Sequence, residues 1–288
     1  MKPGQLCANC LLRANCAYTR IFETFITEQP PPFLKGLDTS PRPFIFEPHD
    51  QNRIYHAGDI LWLDLILIGN VIDFVPYVVF AIMQMGQTGL GVKRHQFELA
   101  AAYCFQPENE SPDSPSTTEA TAQQNWRLLY DGASQCILFT PNALQLSNGD
   151  QAADHATTVT LKFLTQTRLK FGDDLTMNFT FRMLAFKMLR RVLELAYFYG
   201  PKAEINWEFH DLLVAANQVH IKSRNFDWVD YDRYSNRQQA KMKLGGFVGD
   251  MTVEGDLSPF MDLLHYSEIL HVGKGTTFGL GRCVIEHG

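Results

Sequence analysis

A glycine-rich stretch near the end of the chain, HVGKGTTFGLGR at residues 271–282, limits the folds that this sequence can adopt. Its glycines follow the spacing GxGxxxGxG, and the apolar run RCVIEH overlaps its end. A Walker-type phosphate loop and a dinucleotide fingerprint both need a helix after the glycines, whereas RCVIEH has the character of a short strand. The pattern therefore predicts a loop before a final strand, where glycines permit positive φ angles and close approach of another backbone.

The side chains of this loop indicate what it binds. Lys274 and Arg282 add positive charge, and exposed amide groups between glycines would add donors, which together suit a phosphate backbone. The alternative is a glycine-rich hairpin without a ligand, and the pattern alone does not separate the two. If the loop binds RNA, the residues expected to contact it are Gly273, Lys274, Gly275, Thr276, Thr277, Gly279, Gly281 and Arg282.

The composition excludes some classes of protein. The chain has 288 residues, 45% of them hydrophobic, which is enough for one large or two medium domains. Its net charge of −6 argues against a surface coated in basic charge but leaves room for a local basic groove. The start, MKPGQLCANC, lacks the apolar core of a signal peptide, and the uncharged run at 74–83 is too short to span a bilayer. We expect a cytoplasmic protein with no membrane partner.

Three of the six cysteines cluster near the start as Cys7, Cys10 and Cys16. Disulfides are not expected in a cytosolic chain. Three thiolates at this spacing could bind zinc or an iron–sulfur cluster, but no fourth ligand is evident nearby. We therefore favour a redox-inert cluster and expect neither a metal nor a cofactor.

The second half of the chain predicts a ferredoxin-like unit. Residues 157–171 alternate between apolar and polar as a half-buried strand does, and residues 179–199 have the length and periodicity of a long helix. The remaining signals are a helix at 207–218, strand-like runs at 222–245 and 246–254, and a helix capped by Ser258. With the final strand, the order is β-α-(α)-β-β-α-β, which is that of a split βαβ unit.

The first half repeats part of this order. Strand signals at 43–47 and 58–68 precede a helix at 71–86, a glycine loop and another strand. The loop residues that echo the C-terminal loop are Gly86, Gly89, Gly91, Lys93 and Arg94. We therefore predict an α+β fold with two tandem ferredoxin-like units, at 1–145 and 146–288. The first is incomplete at its N-terminus and includes a mobile acidic loop at 106–125, and its open sheet edge favours a homodimer.

Several longer motifs give these units a family resemblance. The chain resembles the RAMP superfamily of CRISPR-associated proteins and, more narrowly, the endoribonuclease that cuts CRISPR repeat transcripts into guide RNAs. The resemblance covers most of the chain outside 106–156. The motifs that carry it are CxxC…C-x-Y…FE from Cys7 to Glu23, PRPFIFEP at 41–48, GDILWLDLILIG at 58–69, MGQTGLGVKRHQFEL at 85–99, RYSNRQQAKMKLGGFVGDMTVEGDLSPF at 233–260 and HVGKGTTFGLG at 271–281.

This resemblance implies metal-independent RNA cleavage, with CRISPR repeat RNA and other CRISPR-associated subunits as partners. It also implies a strand and a helix before the cysteine stretch, for which the sequence has no matching residues. Metal-free cleavage uses the neighbouring 2′-hydroxyl as nucleophile, a base, an acid and cations that stabilise the charge on phosphorus. The expected products carry a 2′,3′-cyclic phosphate and a 5′-hydroxyl.

Histidine suits the proton transfers of this reaction near neutral pH. His271 abuts the C-terminal glycine loop, His95 lies beside the first-half loop, and His56, like His49, lies on the first-half strands. A histidine beside a structured loop is more often structural than catalytic, so the assignment stays open among them. Our catalytic candidates are His271, His95, His56, Tyr234 and Lys241. Further RNA-binding candidates are Arg237, Lys243, Lys93 and Arg94.

Two other functions compete with an endoribonuclease. A non-catalytic RAMP subunit that holds guide RNA in an effector complex would use the same fold and loop. A small-molecule-binding ferredoxin-like regulator would fit the acidic net charge but would show no salt-dependent affinity for RNA. The extended motifs favour the endoribonuclease.

Overall fold

The computed structural model describes residues 7–26, 30–37, 39–49, 54–91, 93–106, 125–144, 157–201, 205, 209–230, 232–235 and 240–287. The predicted loop at 106–125 lies almost wholly outside these residues. The chain divides into two compact units. The larger is drawn from Met1–Ala14, Tyr18–Gly69 and Asn148–Gly288, and the smaller from Asn15–Ala17 and Asn70–Ser147.

The first two strands of the larger unit pair with each other, after three short helical segments. Strands β1 (Phe44–Pro48) and β2 (Leu63–Leu67) are antiparallel, and Glu47 lies directly opposite Asp64. The strand predicted at 58–68 starts only at Leu63, because the residues before it form a turn. In that turn the Asp59 carboxylate accepts from the His56 amide, and the Asp59 amide donates back to the His56 carbonyl.

The smaller unit contains one helix and one small sheet. A 3₁₀ segment, Gly69–Phe74, leads into helix α1 (Val75–Thr88), which has Pro76 in its first turn, where the missing amide hydrogen is tolerated. Strands β3 (Ala101–Phe105), β4 (Trp126–Asp131) and β5 (Cys136–Ile137) form an antiparallel sheet in that order. The β-β-α-β order predicted for the first half is therefore present, but its described strands lie in two separate sheets.

One helical segment among the described residues, Gly69–Thr88, is long and apolar enough to cross a membrane by length and composition. Its mean hydropathy is 1.3 and it carries Asp73 near its start. A single segment of this kind is weak evidence for a span, because core helices pass the same test. The cytoplasmic location stays a prediction.

The C-terminal half forms the predicted ferredoxin-like arrangement. Its elements in chain order are β6 (Thr158–Thr167), β7 (Lys170–Phe171), β8 (Asp174–Leu175), α2 (Phe181–Tyr199), α3 (His210–Ala215), β9 (His220–Val229), β10 (Asp232–Ser235), β11 (Ala240–Lys243), β12 (Gly246–Glu254), α4 (Met261–Leu270) and β13 (Cys283–His287). The four long strands form one antiparallel sheet in the order β13-β6-β12-β9. This order is that of a split βαβ unit, so the predicted α+β class is confirmed.

One face of this sheet carries the hydrophobic core. The alternation of β6 buries Val159, Leu161 and Phe163 on that face, where helices α2 and α4 also contribute buried side chains. Phe226 and Phe247 add ring contacts to Phe163, with centroids 5.6 and 5.1 Å away. Burial of each large apolar side chain contributes about 1.5–3 kcal/mol, so this core holds β6 and β13 at fixed positions.

Two helix ends bear on the position of the C-terminal loop. The predicted Ser258 cap is wrong, because Asp256 Oδ1 accepts from the Ser258 amide (3.2 Å) while the Ser258 hydroxyl is buried with no hydrogen-bond partner in the described structure. At the other end of α4, Arg191 Nε donates to the Leu270 carbonyl (2.6 Å). Burial lowers the pKa of Arg191 to about 10. Arg191 thus ties α2 to the point where the glycine loop begins.

Candidate active site

The C-terminal glycine loop packs onto the end of β6. The Lys274 amide donates to the Arg168 carbonyl (3.0 Å), and the Gly281 amide donates to the Gln166 carbonyl (3.2 Å). The Arg282 amide donates to Thr165 Oγ1 (2.9 Å). These three backbone donors are therefore already satisfied within the protein, and a phosphate approaching the loop would meet its side chains first.

The glycines of this loop are needed for close packing. Gly273, Gly275, Gly279 and Gly281 all have positive φ angles. A Cβ on Gly281 would lie 1.9 Å from the Val272 carbonyl oxygen, and one on Gly279 would lie 2.6 Å from the Phe46 carbonyl oxygen on β1. The loop can thus approach both itself and β1 only because these side chains are absent. Lys274 and Arg282 are exposed, whereas Thr276 is buried.

His271 lies inside the protein, with 1% of its surface exposed. Its Nδ1 is 3.1 Å from the Leu280 carbonyl oxygen, and its Nε2 is 2.5 Å from Glu47 Oε1 on β1. Both ring nitrogens are engaged, so the ring has no nitrogen to offer a substrate. This position favours the structural interpretation of His271 over the catalytic one.

Glu47 connects the loop to β1 through both carboxylate oxygens. Oε1 accepts from His271, and Oε2 lies 3.5 Å from Arg282 Nη1. The hydrogen bond from His271 lowers the pKa of Glu47, as do the charges of His271, Arg282 and His49, while burial opposes them. Sequence reasoning missed Glu47, whose signal was an acidic residue within the apolar run PFIFEP.

A second histidine lies on the same strand pair and is exposed. His49 follows the end of β1, and its Nε2 is 2.5 Å from Asp64 Oδ2 on β2, with the two side chains 50% and 44% exposed. Asp64 lies directly opposite Glu47, and Arg282 contacts Glu47 itself. An exposed histidine–carboxylate pair of this kind can exchange a proton with a bound molecule.

The other predicted catalytic residues are more scattered. His56 is exposed in the turn before β2, and His95 is exposed in the smaller unit, where its backbone pairs with Leu90. Tyr234 on β10 lies opposite Lys241 on β11. The catalytic roles of all four stay predictions.

The other predicted RNA contacts divide between the units. Lys93 and Arg94 are exposed in the smaller unit, and Arg94 has a positive φ of 55°. Lys243 is the last residue of β11, and Arg237 lies outside the described residues. Their contacts with RNA stay predictions.

The clustered cysteines divide between the two units of the chain. Cys10 donates its amide to the Cys7 carbonyl (3.1 Å) in a tight turn, and Cys16 belongs to the other unit. Among the described residues there is no group of three or more histidine, cysteine or acidic side chains that could hold a metal ion.

The C-terminal half forms a ferredoxin-like unit with the glycine loop before its last strand, as the sequence predicted. Residues 161–283 match the sequence model of the CRISPR-associated endoribonuclease Cas6 family. The predicted resemblance to a CRISPR repeat-processing endoribonuclease is thereby confirmed for these residues, which are similar to that family. Residues 1–125 match a second family model, described as an N-terminal domain.

Solved structures of Cas6 proteins are similar to the chain at low identity. A Cas6 product complex is 16% identical over 97% of this chain and 92% of its own, with a TM-score of 0.49. Thermus thermophilus Cas6 is 14% identical over 85% of this chain and 79% of its own, with a TM-score of 0.43. No curated protein sequence matches the chain. The similarity to the Cas6 family therefore depends on the match of residues 161–283 to its sequence model.

Proposed function

We propose that the protein cuts CRISPR repeat RNA without a metal ion, by attack of a ribose 2′-hydroxyl on the adjacent phosphate. The observation that supports this chemistry is the exposed His49–Asp64 pair, in which Asp64 lies opposite Glu47, the residue that the Arg282 guanidinium contacts. His49, Asp64 and Arg282 match the needs of the reaction: a proton acceptor, a carboxylate that orients it and a cation for the phosphate.

In the proposed reaction, Asp64 accepts a hydrogen bond from His49 Nε2–H, which leaves Nδ1 as the base. Nδ1 takes the proton of the 2′-hydroxyl while the 2′-oxygen bonds to phosphorus. The bond from phosphorus to the 5′-oxygen breaks, and that oxygen takes a proton from solvent. The His49 proton returns to solvent, so the reaction is balanced and yields a 2′,3′-cyclic phosphate and a 5′-hydroxyl. Arg282 stabilises the extra negative charge of the transition state.

Cleavage is expected to proceed in excess EDTA. Purified protein mixed with its own repeat RNA should yield shorter RNA with a cyclic phosphate on one fragment and a 5′-hydroxyl on the other. A substrate with a 2′-deoxyribose at the cleavage position is the matched control and should stay intact, because it lacks the nucleophile. Cutting that requires a divalent ion, or that proceeds on the deoxy substrate, would contradict the mechanism.

The same assay separates the competing functions. RNA that binds but is never shortened would indicate the RNA-holding subunit. A protein whose RNA affinity does not depend on salt would fit the small-molecule-binding regulator instead. The homodimer and the association with other CRISPR-associated subunits stay predictions.

Lys274 and Arg282 are proposed to bind RNA phosphates, because both are exposed cations on one loop of an acidic chain. Replacing Lys274 with alanine should lower the slope of log K against log salt by about 0.7–0.9. Lys222→Ala is the control, since Lys222 is exposed on β9 at the opposite edge of the sheet from β13. An unchanged slope in both Lys274→Ala and Arg282→Ala would remove the loop from the RNA path.

A further inference from the structure

We infer that Glu47 is a positioning residue for RNA cleavage, which sets the Arg282 guanidinium at a fixed distance from His49. The inference rests on the proposed function, because it assumes that His49 and Arg282 act on the same phosphate. Glu47 itself is 8% exposed and does not reach the substrate. It acts through His271 and Arg282, the two side chains that its carboxylate contacts.

His271 is held by two contacts. Its Nδ1 is hydrogen-bonded to the Leu280 carbonyl oxygen (3.1 Å), and its Nε2 is hydrogen-bonded to Glu47 Oε1 (2.5 Å). The hydrogen bond with His271 is the main cause that lowers the pKa of Glu47. This pair joins β1 to the first residue of the glycine loop.

The second oxygen of Glu47 orients Arg282. The Arg282 backbone is fixed by the hydrogen bond that its amide donates to Thr165 Oγ1, and its Nη1 lies 3.5 Å from Glu47 Oε2. The Arg282 side chain is 44% exposed, so the rest of the guanidinium is open to a phosphate. Because guanidinium donors form a planar fork, holding one nitrogen sets the direction of the others.

The Glu47 and Asp64 carboxylates each contact basic side chains. Glu47 lies directly opposite Asp64, and two carboxylates in that position repel each other unless cations neutralise them. His49 pairs with Asp64, while His271 and Arg282 pair with Glu47. A neutral residue at position 47 would leave both Arg282 and His271 without the carboxylate that they contact.

The test compares Glu47→Gln and Glu47→Asp with the unaltered protein in single-turnover cleavage at saturating repeat RNA. A displacement of about 1 Å can cost about 10²-fold in rate, so Glu47→Gln is expected to cut about 10–100-fold more slowly with its RNA affinity unchanged. Glu47→Asp keeps the charge and should recover part of the rate. The matched control is Glu286→Gln. This variant removes an exposed carboxylate of β13 that pairs with Lys162 on β6, and it should cut normally.

A double variant distinguishes this inference from the proposed function. If Glu47 acts by placing Arg282 for the step that uses His49, Glu47→Gln should slow His49→Ala much less than it slows the unaltered protein. Normal cutting by His49→Ala would refute the proposed function itself. Normal cutting by a folded Glu47→Gln, with His49→Ala impaired, would overturn only the inference. Should Glu47→Gln fail to fold, Glu47→Asp decides: a rate loss at unchanged affinity supports positioning, and the full rate overturns it.

Discussion

Replacing His49 with alanine is expected to lower the rate of repeat cleavage by about 10²–10⁴-fold, because the base that takes the 2′-hydroxyl proton is lost. RNA affinity should change little, because His49 is proposed to transfer a proton and is not among the residues proposed to bind the phosphates. The measurement is a single-turnover cleavage rate at saturating RNA, together with a binding isotherm at fixed salt.

His265→Ala is the matched control for this prediction. His265 is also a partly exposed histidine paired with a carboxylate, Glu268, but it lies on helix α4 and is not a catalytic candidate. It should cut at close to the normal rate. The His49 assignment fails if His49→Ala keeps its full rate, and a large loss in His56→Ala instead would transfer the base to that candidate.

Replacing Gly281 with alanine is expected to destabilise the protein by about 2–4 kcal/mol. Its φ of 75° is costly for any residue with a side chain, and the added Cβ would lie 1.9 Å from the Val272 carbonyl oxygen. The backbone must therefore move at Gly281, and this movement strains the hydrogen bond that the Val272 amide donates to the Gly281 carbonyl (2.9 Å). The free energy of unfolding from denaturant titration measures the effect.

Gly172→Ala provides the matched comparison. Gly172 has a φ of 62°, and no atom lies within 4 Å of a Cβ built there. It should therefore cost only the backbone strain of about 1 kcal/mol, so the difference between the two variants isolates the close contact. Equal losses of stability would show that the loop can relax around the extra carbon.

The C-terminal fold was predictable because each element has its own local signal. The alternation of β6 and the long apolar periodicity of α2 are properties of neighbouring residues. They therefore predict the element order without knowledge of the partner strands, and the structure has that order. Local signals were also misleading at two points. The turn closed by Asp59 shortens β2, and Asp256 rather than Ser258 caps the segment before α4.

The candidate site was less predictable because its contacts join distant parts of the chain. The position of the glycine loop before the last strand was predicted correctly, but its partner Glu47 is 224 residues away in sequence. No periodicity or spacing links such positions. For the same reason the sequence made His271 a catalytic candidate from its neighbours alone, whereas its burial and its contact with Glu47 on β1 are tertiary properties.

The link between Glu47 and His271 also bears on how the enzyme is made in the cell. Because β1 is synthesised early and the glycine loop near the end, translation must pass through more than two hundred codons between them. Closing so long a connection is entropically costly and slow compared with local folding. The nascent polypeptide can therefore form the contacts of Glu47 with His271 and Arg282 only after residues 271–282 have left the ribosome.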